Sequence, residues 1–327
     1  MHYRSLGQSG LRVSVIGLGG NPFGNTADTA QSLAVIEAAL DAGVNFLDTA
    51  DVYGTSEEII GKAVRGRRDD VILASKVGGI SSQERNNGRL SRRQIMAHAE
   101  ESLRRLGTDY IDLYQAHRPD SQTPIEESLR AFEDLVSQGK VRYLGCSNFR
   151  SWELVRALWL QDRRGWSPWI SLQQSWNLVD GITVDGVPDP DLRSVAGEFG
   201  LGIIPFFPLA SGVLTGKYAR GEEPPAGTRM AEVGYARKHL TDTMLAAVER
   251  LRPWAEERGH TLAELAIAWL LAHAETATVI AGARHPDQLR QNVRAADWVL
   301  TPAERDEIEA LSRRVDSAGQ AESHGSA

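Results

Sequence analysis

Four residues in this chain have the types and spacing to do proton chemistry together: Asp48, Tyr53, Lys76 and His117. A tyrosine phenol has an ordinary pKa near 10, too high to exchange protons readily at neutral pH. A lysine ammonium beside it lowers that value, and a carboxylate beside the lysine keeps the ammonium charged and in place. A histidine next to the pair can donate a hydrogen bond to a carbonyl oxygen, polarising it and fixing its direction. Each residue also has a plain structural explanation. Asp48 could cap a turn, Tyr53 could be a half-buried loop aromatic, Lys76 a solvated loop residue and His117 a structural histidine. The choice depends on whether the chain brings them to one place.

All four stand at or just after the ends of apolar runs that read as buried strands. Val44, Phe46 and Leu47 stop at Asp48, with Tyr53 five residues on, ahead of Gly54. Val71-Ile72-Leu73-Ala74-Ser75 stops at Lys76, and Tyr110-Ile111-Asp112-Leu113-Tyr114 ends near His117. Further strand candidates lie near residues 17, 143, 171, 203 and 279, which makes eight, each followed by a helical pattern. Helices are expected from Asp28 to Ala42, from Ser56 to about Val64, from Ser91 to about Leu106 and from Thr123-Pro124 to about Gln138. Others follow at about Trp152–Gln161, Asp191–Phe199, Thr241–Arg258 and Thr261–His273, and from Pro286 and Pro302. Regular βα alternation on this scale predicts a parallel sheet, and eight units in this length predict a closed (β/α)8 TIM barrel of the α/β class. Tyr3–Leu6 and Leu11–Val13 flank Gly7-Gln8-Ser9-Gly10 as an N-terminal β-hairpin, and the last helix is an extra C-terminal one. A single domain is expected over residues 1–316, with a disordered tail at 317–327. Closing the barrel would bring Asp48, Lys76, His117, Ser147, Asn148 and Gln173 to one mouth, because reactive side chains come from the C-terminal strand ends.

Composition narrows the function classes. At 327 residues, 42% hydrophobic and 24% charged, the chain can bury a large core. A net charge of −7 argues against a general nucleic-acid or anionic-membrane binder. Cys146 is the only cysteine, so neither an intrachain disulfide nor a cysteine metal cluster is available. No pair of histidines at helical spacing has a carboxylate partner, and no metal site is expected. No apolar run approaches the length that spans a bilayer, and no signal core follows Met1, which reads as a cytoplasmic protein. Gly17 and Gly19 lack the third glycine of a dinucleotide fingerprint, since Pro22 stands in its slot. Gly145-Cys146-Ser147-Asn148 is not a nucleophile elbow.

The motif set resembles the aldo-keto reductase superfamily over essentially the whole chain to about Leu311. The matching pieces are Asp48-Thr49-Ala50-Asp51-Val52-Tyr53-Gly54, Ser75-Lys76, Gln115-Ala116-His117-Arg118-Pro119-Asp120, and Gly139-Lys140-Val141-Arg142 leading into Gly145-Cys146-Ser147-Asn148-Phe149. Pro208-Leu209-Ala210-Ser211-Gly212-Val213-Leu214-Thr215-Gly216-Lys217 is similar too. The resemblance implies an oxidoreductase that reduces aldehydes, ketones or open-chain sugars with NADPH, reversibly, through a tetrad of Asp48, Tyr53, Lys76 and His117. It implies that Ser147, Asn148 and Gln173 hold the nicotinamide carboxamide, that Phe206 stacks on the nicotinamide ring, and that Leu209, Ser211, Gly212 and Lys217 cradle the pyrophosphate. After the eighth strand, Arg284 and Gln288 would meet the 2′-phosphate, with Gln291 and Asn292 at the adenine.

Departures from the family pattern carry their own expectations. Phe207 stands where a serine is common, which removes one hydroxyl contact to the phosphates. Gly282 stands where many members carry a phosphate-binding lysine, leaving Arg284 as the main charge for NADP and NAD as an alternative cofactor. Phe23, Arg118, Trp176, Met230 and Tyr235 are the candidates to line the substrate pocket; Trp176, which replaces a frequent tyrosine, either lines the mouth or simply packs. The expected partner is a small carbonyl or sugar, with a monomer as the default state. A second expectation is an NADPH-binding regulatory module, resembling the aldo-keto-reductase-like subunits of potassium channels, with little turnover.

Overall fold

The computed structural model describes residues 1–79, 89–226, 228–232 and 240–313. Strands β1 (Tyr3–Ser5) and β2 (Arg12–Ser14) form the expected antiparallel hairpin. Its turn seats against the bottom of the barrel: a Cβ on Gly7, at φ +58°, would fall 2.4 Å from the Ile170 carbonyl oxygen and 2.7 Å from that of Gly200. Only glycine fits that approach and that backbone.

The barrel strands follow in order. They are β3 (Ile16–Gly19), β4 (Phe46–Asp48), β5 (Ile72–Val77), β6 (Ile111–Ala116), β7 (Val141–Ser147) and β8 (Trp169–Asn177), each parallel to the next. A small antiparallel hairpin, β9 (Gly181–Val184) and β10 (Val187–Pro188), extends β8. Then β11 (Gly202–Phe206) pairs with β8, and β12 (Val279–Gly282) pairs with β3. The last seam closes just ahead of β12, where Ile203 N donates to Glu275 O at 2.7 Å and Ala277 N donates to Ile203 O at 2.9 Å. The eight parallel strands form the (β/α)8 barrel read from the sequence, and closure leaves that sheet without an open edge.

Helices wrap the outside: α1 (Thr29–Asp41), α2 (Ser56–Ala63), α3 (Arg92–Leu106), α4 (Ile125–Ser137), α5 (Ser151–Arg164), α6 (Leu192–Glu198), α7 (Arg229–Glu232), α8 (Asp242–Glu256), α9 (Leu262–Leu271), α10 (Pro286–Arg294) and α11 (Pro302–Arg313). Their limits follow local chemistry. Asp28 and Gln31 form a capping box on α1, Ser91 accepts from Gln94 N to cap α3, and Gly107 ends α3 in the left-handed region at φ 64°. Among the described residues no helix is long and apolar enough to cross a membrane.

The apolar residues divide by strand face. Phe46, Ile72, Ala74, Leu113, Ile204 and Ile280 fill the barrel interior, while a larger cluster lies between the strands and the helices. The period of two in a strand then decides where the polar residues point. Asp48 is in phase with Phe46, Lys76 with Ile72 and Ala74, and Gln115 with Leu113, so all three face inward one layer above the interior apolar residues.

Two features differ from the sequence expectation. β8 runs on to Asn177 rather than ending near Gln173, and the β9–β10 hairpin follows it. Its turn is Asp185-Gly186, both at positive φ (51° and 77°), the two-residue geometry that Asp-Gly favours between paired strands. The 317–327 tail lies outside the described residues.

Candidate active site

Lys76 is fully buried, and its Nζ donates to Asp48 Oδ2 at 2.6 Å and to the Thr49 carbonyl at 2.9 Å. The ammonium also lies 5.0 Å from the centre of the Tyr53 ring. Burial alone would push the lysine pKa down, but the Asp48 carboxylate and the Tyr53 phenol together more than offset it, so the ammonium is held above its ordinary value. The other oxygen of Asp48 accepts from Gln173 Nε2 at 2.8 Å and from Gln115 Nε2 at 3.4 Å. Asp48 is therefore paired, hydrogen-bonded and 3% exposed, the condition under which a buried ion pair persists.

His117 stands edge-on to Tyr53, with ring centres 5.8 Å apart at 83°. Its backbone N–H donates to the Val77 carbonyl, which fixes the loop leaving β6 to the end of β5. Burial, with the Lys76 and Arg118 charges, pushes the imidazole well below its ordinary value, so it is neutral at physiological pH. Nδ1 is buried without a partner and backs onto Gly79, where a Cβ would come within 2.9 Å. A proton on Nδ1 would be a stranded donor, which favours the tautomer with the N–H on Nε2, the edge left for a substrate oxygen. Tyr53, half-buried beside both groups, completes a proton donor, an adjacent ammonium and a neutral hydrogen-bond donor at one point.

The loop carrying Tyr53 is tied down from behind. Ser75 Oγ donates to Glu57 Oε1 at 2.6 Å, Arg105 donates to the Asp51 carbonyl at 3.1 Å and to Glu57 Oε2 at 3.4 Å, and His98 Nδ1 lies 2.7 Å from Asp51 Oδ2. Burial raises the Glu57 carboxyl above its usual range. Sequence reasoning missed Glu57 and Gln115; for Gln115 the signal was there, two residues before His117 on the same strand face.

Ser147, Asn148 and Gln173 converge beside His117. Asn148, at φ 60°, donates through Nδ2 to the His117 carbonyl at 3.0 Å and to Ser147 Oγ at 2.9 Å. Gln173 spends its donor on Asp48, leaving Asn148 Oδ1 and Gln173 Oε1 as acceptors and the Ser147 hydroxyl as a donor. That set matches the donor and acceptor pattern of a primary carboxamide. Phe206 is half-buried at the end of β11, its ring 5.1 Å from that of Phe207. Beyond it Phe207, Ala210, Ser211 and Gly212 hold φ of 54°, 47°, 55° and 97°. Such left-handed runs cost energy for residues with a Cβ and recur where backbone clamps a ligand. Lys217 lies over this turn, its Cε and Nζ 3.1 Å from where a Gly212 Cβ would sit, and Leu209 is partly buried beneath. The turn and its ammonium thus fit a pyrophosphate. After β12, Arg284 N donates to Gln288 Oε1 at 2.8 Å; Gln291 is exposed and Asn292 buried on the same helix, α10.

The proposed pocket residues are placed unevenly. Arg118 lies beside His117 and pairs with Asp185. Phe23 and Met230 are each 1% exposed and belong to the core. The structure does not bring Trp176 to the mouth: it packs against Trp269 (5.7 Å) and His273 (4.8 Å) under the helices. The reason is strand parity, since Gln173 faces in and Trp176 is three residues on. Tyr235 lies outside the described residues.

Residues 15–313 match the Aldo/keto reductase family. The chain belongs to that family. It is 40% identical to a probable voltage-gated potassium channel subunit beta of Oryza sativa subsp. japonica, covering 95% of this chain and 96% of that one. It is 33% identical to the L-glyceraldehyde 3-phosphate reductase of Escherichia coli K12, over 90% and 87%. It is 32% identical to the versiconal hemiacetal acetate reductase of Aspergillus parasiticus, over 93% and 95%. As an aldo/keto reductase the chain is an oxidoreductase, and the geometry at the barrel mouth is where that chemistry has its candidate groups. Among the described residues no cluster of His, Cys, Asp and Glu could hold a metal ion.

Proposed function

We propose that this aldo/keto reductase reduces aldehydes, ketones or open-chain sugars to alcohols, reversibly, with NADPH as reductant and Tyr53 as general acid and base. The observation that carries the reading is the fully buried Lys76 ammonium held between Asp48 and Tyr53, beside a neutral His117. A bound nicotinamide cofactor supplies the hydride that the carbonyl carbon accepts. Tyr53 gives its phenolic proton to the carbonyl oxygen in reduction and takes it back in oxidation. Lys76 stabilises the phenolate left behind, and Asp48 keeps that ammonium charged through the cycle. His117 aims its Nε2–H at the same oxygen and orients it.

Ser147, Asn148 and Gln173 would hold the carboxamide, Phe206 would lie against the nicotinamide ring, and Leu209, Ser211, Gly212 and Lys217 would hold the pyrophosphate. Arg284 and Gln288 would meet the 2′-phosphate, with Gln291 and Asn292 at the adenine. The fit of the Ser147-Asn148-Gln173 donor set to a carboxamide, and of the strained turn under Lys217 to a diphosphate, supports this assignment.

A second reading draws on the 40% identity to the rice protein named as a probable channel subunit: an NADPH-binding module that turns over slowly and acts through a partner. One assay separates the two. The purified protein is given NADPH and a panel of aldehydes, ketones and aldoses, with loss of nicotinamide absorbance followed and NADH run in parallel. Carbonyl-dependent oxidation of NADPH, lost in Tyr53→Phe while NADPH still binds, is the outcome expected of a reductase. NADPH binding without consumption on any panel member favours the module, and full turnover by Tyr53→Phe would sink the assignment of the proton donor.

A further inference from the structure

Two cations act on the His117 imidazole, Lys76 and Arg118, and they are not equivalent. Lys76 has no exposed surface and spends its ammonium on Asp48 and the Thr49 carbonyl, so it has nothing to offer a second anion. Arg118 is the residue after His117, its side chain is 30% exposed, and its guanidinium reaches Asp185. Asp185 is 59% exposed at the turn of the β9–β10 hairpin, which extends β8 two strands away from β6. The hairpin is anchored at its base, where Gln174 donates to the Thr183 carbonyl and Ser151 donates to Asp189 Oδ1 at 2.6 Å. Arg118 is thus a partly exposed guanidinium next to the proposed carbonyl-binding histidine, engaged by one exposed carboxylate on a surface hairpin.

An exposed ion pair of this kind is weak, because water screens both charges. A carboxylate or phosphate entering the mouth can take the guanidinium bidentately, where Asp185 engages it through one Nη1–Oδ1 contact. We infer that Arg118 is an anion-binding subsite that makes this enzyme prefer carbonyl substrates bearing a carboxylate or phosphate, and that Asp185 is the internal carboxylate such a group displaces. The inference rests on the reductase reading of the same site. It assigns a substrate class, and it gives opposite roles to the two ends of one ion pair.

Opposite roles make it testable. The probes are two matched pairs: 4-carboxybenzaldehyde against benzaldehyde, and glyceraldehyde 3-phosphate against glyceraldehyde. The readout is the ratio of kcat/KM for the anionic member to that for the neutral one. Arg118→Ala should lower that ratio about ten- to hundredfold, the worth of a charge-assisted hydrogen bond, and Arg118→Lys should restore part of it. Asp185→Asn should raise the ratio by up to about fivefold, chiefly through KM, because a competitor for the guanidinium has gone. Asn is the replacement of choice, since residue 185 sits at φ 51°, a backbone that Asn tolerates. A fall confined to the phosphate pair, or to the carboxylate pair, names which anion the subsite takes. Equal effects on both members of each pair, or an Asp185→Asn ratio at or below that of the wild type, would overturn the inference. If the wild-type protein reduces none of the four, the wider panel of aldehydes, ketones and aldoses decides the reductase reading separately. Calorimetry of the same four compounds on the NADPH-loaded protein then decides the subsite alone: Arg118→Ala must weaken the two anions and not the neutral aldehydes.

Discussion

Lys76 on β5 bonds Asp48 on β4 at 2.6 Å with no part of the lysine in contact with water. Removing one partner of such a pair leaves the other charged and unpaired in the interior, at a cost of about 3–5 kcal/mol. Asp48→Asn should therefore lose stability on that scale and most of its turnover at neutral pH, read by urea denaturation and steady-state rates. The pH dependence gives a sharper signature. In the native protein the lysine pKa is raised, so its contribution is whole below the ordinary value of 10.5 and is lost only as pH climbs through the raised one. Without Asp48 the main group opposing burial is gone and only Tyr53 remains against it, so the lysine pKa should fall below its unfolded value and the variant should gain stability as pH rises into the alkaline range. A variant whose stability falls with pH as the wild type's does would show that Asp48 is not what keeps Lys76 charged.

Gly61 in α2 gives a prediction whose sign opposes helix propensity. Replacing an interior helical glycine with alanine ordinarily stabilises by up to about 1 kcal/mol. At this position a Cβ would fall 2.4 Å from the Leu106 carbonyl oxygen and 2.9 Å from its Cα, at the end of α3. Backbone cannot yield as a side-chain tip can, so Gly61→Ala should destabilise by about 1–3 kcal/mol. Thermal or urea unfolding checks it; a more stable variant would mean that α2 and α3 slide apart freely.

Much of this site was legible because strand ends carry a positional code. Asp48, Lys76 and His117 terminate apolar runs, and an alternation of strands and helices that counts to eight leaves one mouth for them to meet at. The same code, taken one step further, decides between the two readings of Trp176: counted from Gln173 it falls on the helix-facing side, where Trp269 and His273 receive it. The Asp185-Gly186 turn was also readable, since Asp-Gly between short apolar runs is a hairpin signal. Glu57 is different. A glutamate in the first turn of a helix looks like an ordinary helix-terminal charge, and only the packing of α2 against β5 and α3 shows it buried under Ser75 and Arg105.

His273 and His117 make the fold sensitive to acid in a definite direction. Burial, then the Arg193 and Arg305 charges, pushes His273 down from 6.5 to about 3, and Arg193 Nη1 lies 3.1 Å from its Nδ1. His117 is displaced in the same direction. The unfolded chain takes up protons at both sites below 6.5 while the folded chain does not, so stability is intact above that value and falls as pH drops towards the folded values. Each site steepens the loss by about 1.4 kcal/mol per pH unit. His273→Gln keeps an acceptor for Arg193 and should flatten the acid slope by one proton, measured by denaturation at a series of pH values. An unchanged slope, or an imidazole signal that titrates at its ordinary value, would contradict the assignment.

Arg284 is the residue through which the proposed preference for NADPH can be tested. It is half-buried after β12, where Gly282, two residues earlier, contributes no charge, and Gln288 on α10 accepts from its backbone N–H. NADPH differs from NADH by the 2′-phosphate alone, so a side chain that serves only that group should be silent towards NADH. A charge-assisted bond to phosphate is worth about 1.5–3 kcal/mol, which converts to roughly ten- to hundredfold in affinity. Arg284→Ala should therefore weaken NADPH by that factor and NADH by less than about threefold, as seen by quenching of tryptophan fluorescence with each cofactor. The loss for NADPH should also shrink as salt rises, because the bond it removes is ionic and partly exposed. Equal losses for the two cofactors would take Arg284 off the 2′-phosphate and leave NAD as an equally good partner for this barrel.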